Sequence, residues 1–309
     1  MITGVDAVTF GVADLEEARR YLNDWGLTET ACPPISDAGA KLLFATRDGS
    51  EVVVRQTDDP ALPPAMQDGP TLRMVVWGVD DEATIPAIAA RLGDNARWEN
   101  GLLLATDPNG LAHGFRPTRR VPVIADAQDV NGPGLPRRID RRSPVYDRAT
   151  PISIGHIVLF VDDLAKTLDF FLETLGFVVS DSYPGHAAFL RAATPGPHHH
   201  AFVLQRPGKP GLNHVAFTVS NIHEVFGGGI GMSARGWATD LGPGRHPVSS
   251  AYFWYFKSPF GAALEYYADD DWCTQDWVPG QFERTPENFT EWAIAGGIDG
   301  KTRRQTRAA

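Results

Sequence analysis

The chain has 309 residues, enough for about two domains and for burying roughly three quarters of its unfolded surface. With 28 Lys and Arg against 38 Asp and Glu, its net charge is −10, which excludes the broad basic face that general nucleic-acid or anionic-membrane binding requires. Two cysteines, Cys32 and Cys273, make neither a disulfide framework nor a zinc ribbon. With so few cysteines a reducing cytoplasm is the expected compartment; the start does not read as a signal peptide, and no stretch approaches the roughly 18 uncharged apolar residues of a membrane span.

Residues 4–29, GVDAVTFGVADLEEARRYLNDWGLTE, predict a strand, an Asp-Leu turn, a helix and a second strand after Gly26. Residues 71–81, TLRMVVWGVDD, predict a strand entering a polar turn, and a further strand follows Asp107-Pro108-Asn109-Gly110. Residues 121–151 are rich in Pro, Gly and both charge signs and read as a linker. The pattern then recurs. Residues 155–180, GHIVLFVDDLAKTLDFFLETLGFVVS, place Leu164, Leu168, Phe171, Leu172 and Leu175 at helical spacing, with Asp162 or Asp163 as cap and Gly176 as stop. Residues 212–222, LNHVAFTVSNI, repeat the second strand; GGGIG at 227–231 reads as a flexible turn; a strand closes the unit after Ser258-Pro259-Phe260-Gly261. Beyond Asp271, Trp272, Trp277 and Trp292 are expected to pack back, and the final KTRRQTRAA to fray. The reading is four strand–helix–strands modules, at about 4–57, 70–117, 152–206 and 211–268, two per domain. The expected boundaries are an N-terminal domain 1–120, a linker 121–150, a C-terminal domain 151–275 and a tail 276–309.

The second half concentrates the candidate ligands. His156 opens the strand GHIVLFV. His214 is expected on one strand face with Leu212, Ala216 and Thr218, and Glu265 on one face with Ala263 and Tyr267. A carboxylate in an apolar strand is costly unless it is paired or coordinated. Two histidines and a carboxylate on three strands can form the facial set typical of non-haem Fe(II), with three positions left open. Singly, a strand histidine reads as a core residue and a buried Glu as half of an ion pair. The weight comes from all three falling at corresponding places in the repeat.

The N-terminal copy is an internal control. Aligning the halves sets Ala7 opposite His156, Arg73 opposite His214 and Gly114 opposite Glu265, so that copy has none of the ligands. His113 is one residue off register and is expected on the other face.

On these residues the chain resembles the vicinal-oxygen-chelate superfamily, in particular its two-domain type I extradiol ring-cleaving dioxygenases, from about residue 4 to 270. The resemblance implies an α+β fold of four βαβββ modules in two glyoxalase-like domains with open mixed sheets, and a metal site in the C-terminal domain alone. It assigns the metal to His156, His214 and Glu265, with Fe(II) expected and Mn(II) the other candidate, since both accept imidazole and carboxylate. His199 matches the family's pocket histidine by its spacing to His214, with His200 as the rival. Gly244-Arg245-His246 matches the family's Gly-Arg-His segment. Tyr255, ahead of Pro259, Gly261 and Glu265, matches its tyrosine, with Tyr252 the weaker match. Val248 departs from the pattern, since the family often has Asn or Asp there; Ser249 or Ser250 could substitute as polar partner.

The implied reaction is extradiol cleavage of a catechol by O2, in aromatic-compound catabolism. His199 would be the acid and base, since an imidazole titrates near neutral pH. His246 and Tyr255 would bond the substrate oxygen, and Val158, two along from His156, would line the ring pocket. Alone, His198-His199-His200 reads as a solvated turn, His246 as an exposed loop residue and Tyr255 as core. The competing expectations are a metal-dependent lyase or isomerase on the same fold and a metal-free small-molecule binding protein. No phosphate-cradling loop and no Gly-x-Ser-x-Gly elbow occurs. The expected partners are a small aromatic diol and O2, with no nucleic acid and no membrane, in a homo-oligomer.

Overall fold

The computed structural model describes residues 1–30, 40–99, 101–125 and 131–298. Cys32 and the terminal KTRRQTRAA lie outside the described residues. The first module comprises β1 (Ile2–Val12), α1 (Leu15–Trp25), β2 (Thr28–Glu29), β3 (Lys41–Ala45) and β4 (Glu51–Gln56). The second comprises β5 (Thr71–Val79), α2 (Thr84–Leu92), β6 (Arg97–Glu99), β7 (Leu102–Thr106) and β8 (Ala112–Pro117). The third comprises β9 (Ser153–Val161), α3 (Leu164–Asp169), β10 (Val178–Tyr183), β11 (Ala187–Arg191), β12 (Gly196–Pro197) and β13 (Ala201–Gln205). The fourth comprises β14 (Gly211–Thr218), α4 (Ile222–Ala234), β15 (Thr239–Arg245), β16 (Tyr252–Lys257) and β17 (Ala263–Ala268). Then come β18 (Trp272–Cys273), β19 (Gly280–Gln281), α5 (Pro286–Phe289) and β20 (Trp292–Ala293).

The helix ends follow from local chemistry. Asp14 caps α1 by accepting from the amides of Glu16 and Glu17, and Gly26 ends it at φ +100°. Asp163, rather than Asp162, caps α3 by accepting from Lys166 N–H. Asp162 instead accepts from Gly208 N–H. The helix expected to run on to Leu175 widens into a π turn over Phe170–Thr174, with Leu175 N–H bonded to Phe170 C=O. The wider turn lets two consecutive aromatic residues, Phe170 and Phe171, both reach the core.

The fold is α+β. Its two open mixed sheets have orders β2-β3-β4-β1-β5-β8-β7-β6 and β19-β10-β11-β13-β9-β14-β17-β16-β15-β20. In each sheet the two modules meet through their first strands, β1 with β5 and β9 with β14, both antiparallel. Each first strand pairs in parallel with the last long strand of its module. One apolar core runs beneath both sheets, and Trp25 of α1 stacks on Tyr266 of β17 with ring centroids 3.6 Å apart.

Two sequence expectations change here. GGGIG at 227–231 is not a turn; it lies inside α4. A Cβ on Gly227 or Gly231 would fall 2.3 Å or 2.2 Å from the carbonyl oxygens of Tyr146 or Asp147, and one on Gly229 would fall 2.0 Å from the Trp254 ring. The glycines cost helix propensity and gain close approach of the inter-sheet segment and of β16. The tail also differs. β19 and β20 extend the C-terminal sheet at its two ends, and β18 pairs with β12. Trp277 donates to Ser180 C=O and Trp292 lies in β20, whereas Trp272 is 66% exposed.

Candidate metal centre and its cavity

Strand register brings the three candidate ligands together. Ala216 of β14 pairs with His156 of β9 on one side and Glu265 of β17 on the other, so all three share one face. His214 lies two residues before Ala216 on that face. Leu212 does not share it: a β-bulge at Asn213 turns Leu212 into the core, which corrects the simple alternation. The same bulge brings Asn213 Oδ1 to 2.7 Å from His214 Nδ1.

The N-terminal sheet repeats this register without the chemistry. Ala7 pairs with Val76 and Val76 with Gly114, matching His156, Ala216 and Glu265. The irregularity there falls between Leu72 and Met74, so Met74, not Arg73, stands where His214 stands. His113 faces away and accepts from Trp77 Nε1–H at 2.9 Å. Both His/Cys/Asp/Glu clusters that could hold a metal, among the described residues, lie in the C-terminal half of the chain.

His156, His214 and Glu265 are buried, and their ligand atoms lie within 4.8 Å of one another. Glu265 Oε2 lies 3.3 Å from His156 Nε2 and 3.1 Å from His214 Nε2. Yet Glu265 Oε2 and His214 Nε2 are fully buried without a well-aligned hydrogen bond. Buried polar atoms are rarely left so, and these converge from three strands. The donor set, two imidazoles and one carboxylate, fits a divalent cation of intermediate hardness. Burial pushes the Glu265 carboxyl up, and the two facing imidazoles pull it further down, to a net position below the usual carboxylate range. Burial holds His156 below the ordinary imidazole value against the pull of Glu265.

The surrounding residues close a cavity over this set. His199 stacks on His156 with ring centroids 4.0 Å apart and lines the cavity. His200 turns to the opposite side, accepting from Ala192 N–H and lying against Gly4. The triple His198-His199-His200 is buried, so it is not a solvated turn. Burial, with repulsion from His156, holds His199 well below the ordinary imidazole value. His200 is pushed down to about 3 by burial and Arg120.

His246 Nδ1 lies 2.7 Å from Phe289 C=O, and a carbonyl only accepts, so that nitrogen carries the proton. Burial keeps this ring neutral, so His246 Nε2 accepts from Tyr255 O–H at 3.0 Å. Tyr255 pairs with Glu265 across β16 and β17, and burial beside that carboxylate raises its phenol well above the ordinary value. Tyr252 lies instead beneath Arg245, away from the cavity.

Val158, Val248 and Ser249 line the cavity, with Ser249 at φ +76°; Ser250 does not line it. Sequence reasoning missed Phe202, Tyr183 and Phe289. Phe202 pairs with Val158 across β13 and β9, a register that strand alternation could have suggested. Phe289 comes from α5, held over the cavity by Tyr183 O–H bonding Asn288 C=O, and nothing local marks it. A cleft of about 510 Å³ adjoins the cavity and shares Val158, Phe202, His214, Tyr255 and Phe289 with it.

Comparison with known proteins agrees with this architecture. Residues 153–266 match the Glyoxalase/Bleomycin resistance protein/Dioxygenase superfamily. The chain is 35% identical over 162 residues to "Metapyrocatechase 2" of Cupriavidus necator, a match covering 52% of this chain and 50% of that protein. It is 28% identical over 243 residues to "Biphenyl-2,3-diol 1,2-dioxygenase" of Pseudomonas sp. (strain KKS102), covering 70% of this chain and 77% of that one. The chain thus spans about half the length of the metapyrocatechase it matches. The Mn(II)-bound glyoxalase from Novosphingobium aromaticivorans has the same fold, with TM-score 0.74, 22% identity and coverage of 100% of this chain and 95% of that one. The stretch from β9 to β17 is therefore similar to the glyoxalase/bleomycin resistance protein/dioxygenase superfamily, and the whole chain shares its fold with the solved glyoxalase.

Proposed function

We propose that the chain is a divalent-metal enzyme that cleaves an aromatic vicinal diol with O2 outside the diol pair, with Fe(II) as its metal. The observation that carries this reading is the convergence of His156, His214 and Glu265 beneath a cavity also lined by His199, His246 and Tyr255. Names of relatives in sequence, a metapyrocatechase and a biphenyl-diol dioxygenase, support the same class.

Bound to the triad, a divalent iron would favour a deprotonated diol oxygen and bring diol and O2 side by side. The remaining roles belong to the protein. Tyr255, its proton committed to His246, offers its oxygen to a diol hydroxyl and fixes which one faces His214. His199, neutral through burial, accepts the proton that the diol gives up and returns it later. Val158, Phe202 and Phe289 form apolar walls for a flat ring, and the adjoining cleft takes its substituents. Phe289 shields the cavity from water. The proposed setting is the cytoplasm; no helix among the described residues is long and apolar enough to cross a membrane. The exposed Trp98 on edge strand β6 supports assembly into a homo-oligomer.

The test is anaerobic purification, reconstitution with Fe(II) or Mn(II), and then air with a panel of catechols including a biphenyl-type diol. Oxygen uptake with a coloured ring-opened product is expected. His214→Ala should lose metal and turnover together. His199→Phe should keep metal and slow turnover by roughly 10²–10⁴-fold. A loaded protein that consumes no oxygen with any diol would point to a lyase or isomerase, and a protein that takes up no metal would point to a binding module.

A further inference from the structure

Behind His199 lies a hydrogen-bonded line that the proposed reaction does not itself require. His198 Nδ1 is 3.1 Å from His199 Nδ1, and His198 Nε2 is 2.7 Å from Asp181 Oδ2. The His198 ring is fully buried between Phe189 and Trp277, and its backbone N–H donates to Asp270. The other Asp181 oxygen accepts from Gly280 N–H of β19. A carboxylate has only lone pairs to offer, so the proton between Asp181 and His198 sits on His198 Nε2. With that one proton on Nε2, His198 presents a lone pair at Nδ1. The single proton between the two rings therefore belongs to His199 Nδ1, and His199 Nε2 is the nitrogen left to face the cavity with its lone pair.

The geometry points to Asp181 and His198 as positioning residues that lock His199 in its Nδ1–H tautomer, so that Nε2 meets the substrate as an acceptor. The catalytic consequence rests on the diol-cleavage reading; the tautomer does not. Asp181 also anchors β19, so His198 is the cleaner target. His198→Leu removes the acceptor, whereas His198→Asn keeps an oxygen close to where Nδ1 stood.

The experiment has two arms. In ¹⁵N-histidine-labelled full chain loaded with diamagnetic Zn(II), His199, assigned from the signals lost in His199→Phe, should show a protonated Nδ1 and a bare Nε2. His198→Asn should retain this pattern and His198→Leu should mix the tautomers. In Fe(II)-loaded protein, His198→Leu should lower kcat by roughly 10–100-fold, the usual cost of losing an orienting partner, while KM for the diol and metal content stay within about twofold. His198→Asn should recover most of the loss. A protonated Nε2 on His199 in the wild-type protein would overturn the inference, as would Asn and Leu variants impaired alike or a Leu variant with unchanged kcat. Wild-type protein that cleaves no diol yet shows the Nδ1–H tautomer would sink the reaction and leave the tautomer supported.

Discussion

Replacing Glu265 with Leu should separate the stability of the fold from the capacity of the site. Glu265 is 1% exposed, and its Oε2 lacks a well-aligned hydrogen bond although two imidazole nitrogens lie within 3.3 Å. At pH 8 Glu265 is negative while burial keeps His156 neutral, so the carboxylate is incompletely compensated. Exchanging a buried ionic group for an apolar side chain of similar volume is often stabilising by about 1–4 kcal/mol. Each kcal/mol moves the melting temperature by about 2–4 °C in domains of this size. The metal-free variant should therefore melt above the metal-free wild type. A ligand ion present at a thousand times its dissociation constant stabilises by about 4 kcal/mol, and the variant, lacking one of three ligands, should forgo most of that gain. Thermal melts at pH 8, in chelator and then in excess Mn(II), should show the order of the two proteins reversing. A variant that melts below the wild type in chelator, or one that gains as much from Mn(II), would refute the reasoning.

Two further outcomes follow from packing and charge. Gly229→Val puts a Cβ about where the Trp254 ring lies, 2.0 Å away, and should cost about 1–3 kcal/mol by overpacking, read as a lower denaturant midpoint; an unchanged midpoint would mean that α4 can back away from β16. Asp270 is held well above the ordinary carboxylate value by burial and the neighbouring Asp271 charge, and its Oδ1 has no partner. The native state thus keeps a proton that the unfolded chain releases near pH 4, so the Asp270 contribution to stability is whole at low pH and declines as pH rises. Asp270→Asn should therefore stabilise at pH 7 and do little at pH 4; a gain that is the same at both would remove titration as its cause.

Much of the site was legible because strand alternation is local. His156, His214 and Glu265 stand out as polar groups in apolar strands, and the ligand-free N-terminal copy marks them as more than core residues. Less legible was anything set by a bulge. Counting along β14 put Leu212 beside His214 and Arg73 at the matching place in β5; one extra residue in each strand moves Leu212 to the core and brings Met74 into register. The glycines of α4 misled for a related reason. Their spacing signals flexibility only if nothing packs on them, and the inter-sheet segment and Trp254 do.

The sequence by itself determined the number of modules, their pairing into two α+β units, the asymmetry of the halves and the residues proposed here to ligate a metal. These rest on side-chain chemistry and on periodicities of two and 3.6, which each segment carries alone. Tertiary structure decided which of two adjacent histidines faces the cavity, which tyrosine stands across from Glu265, and that α5 lays Phe289 over the centre. Those choices depend on cross-strand register and on contacts between segments far apart in the chain. No local pattern encodes them, because a one-residue slip reverses every face of a strand.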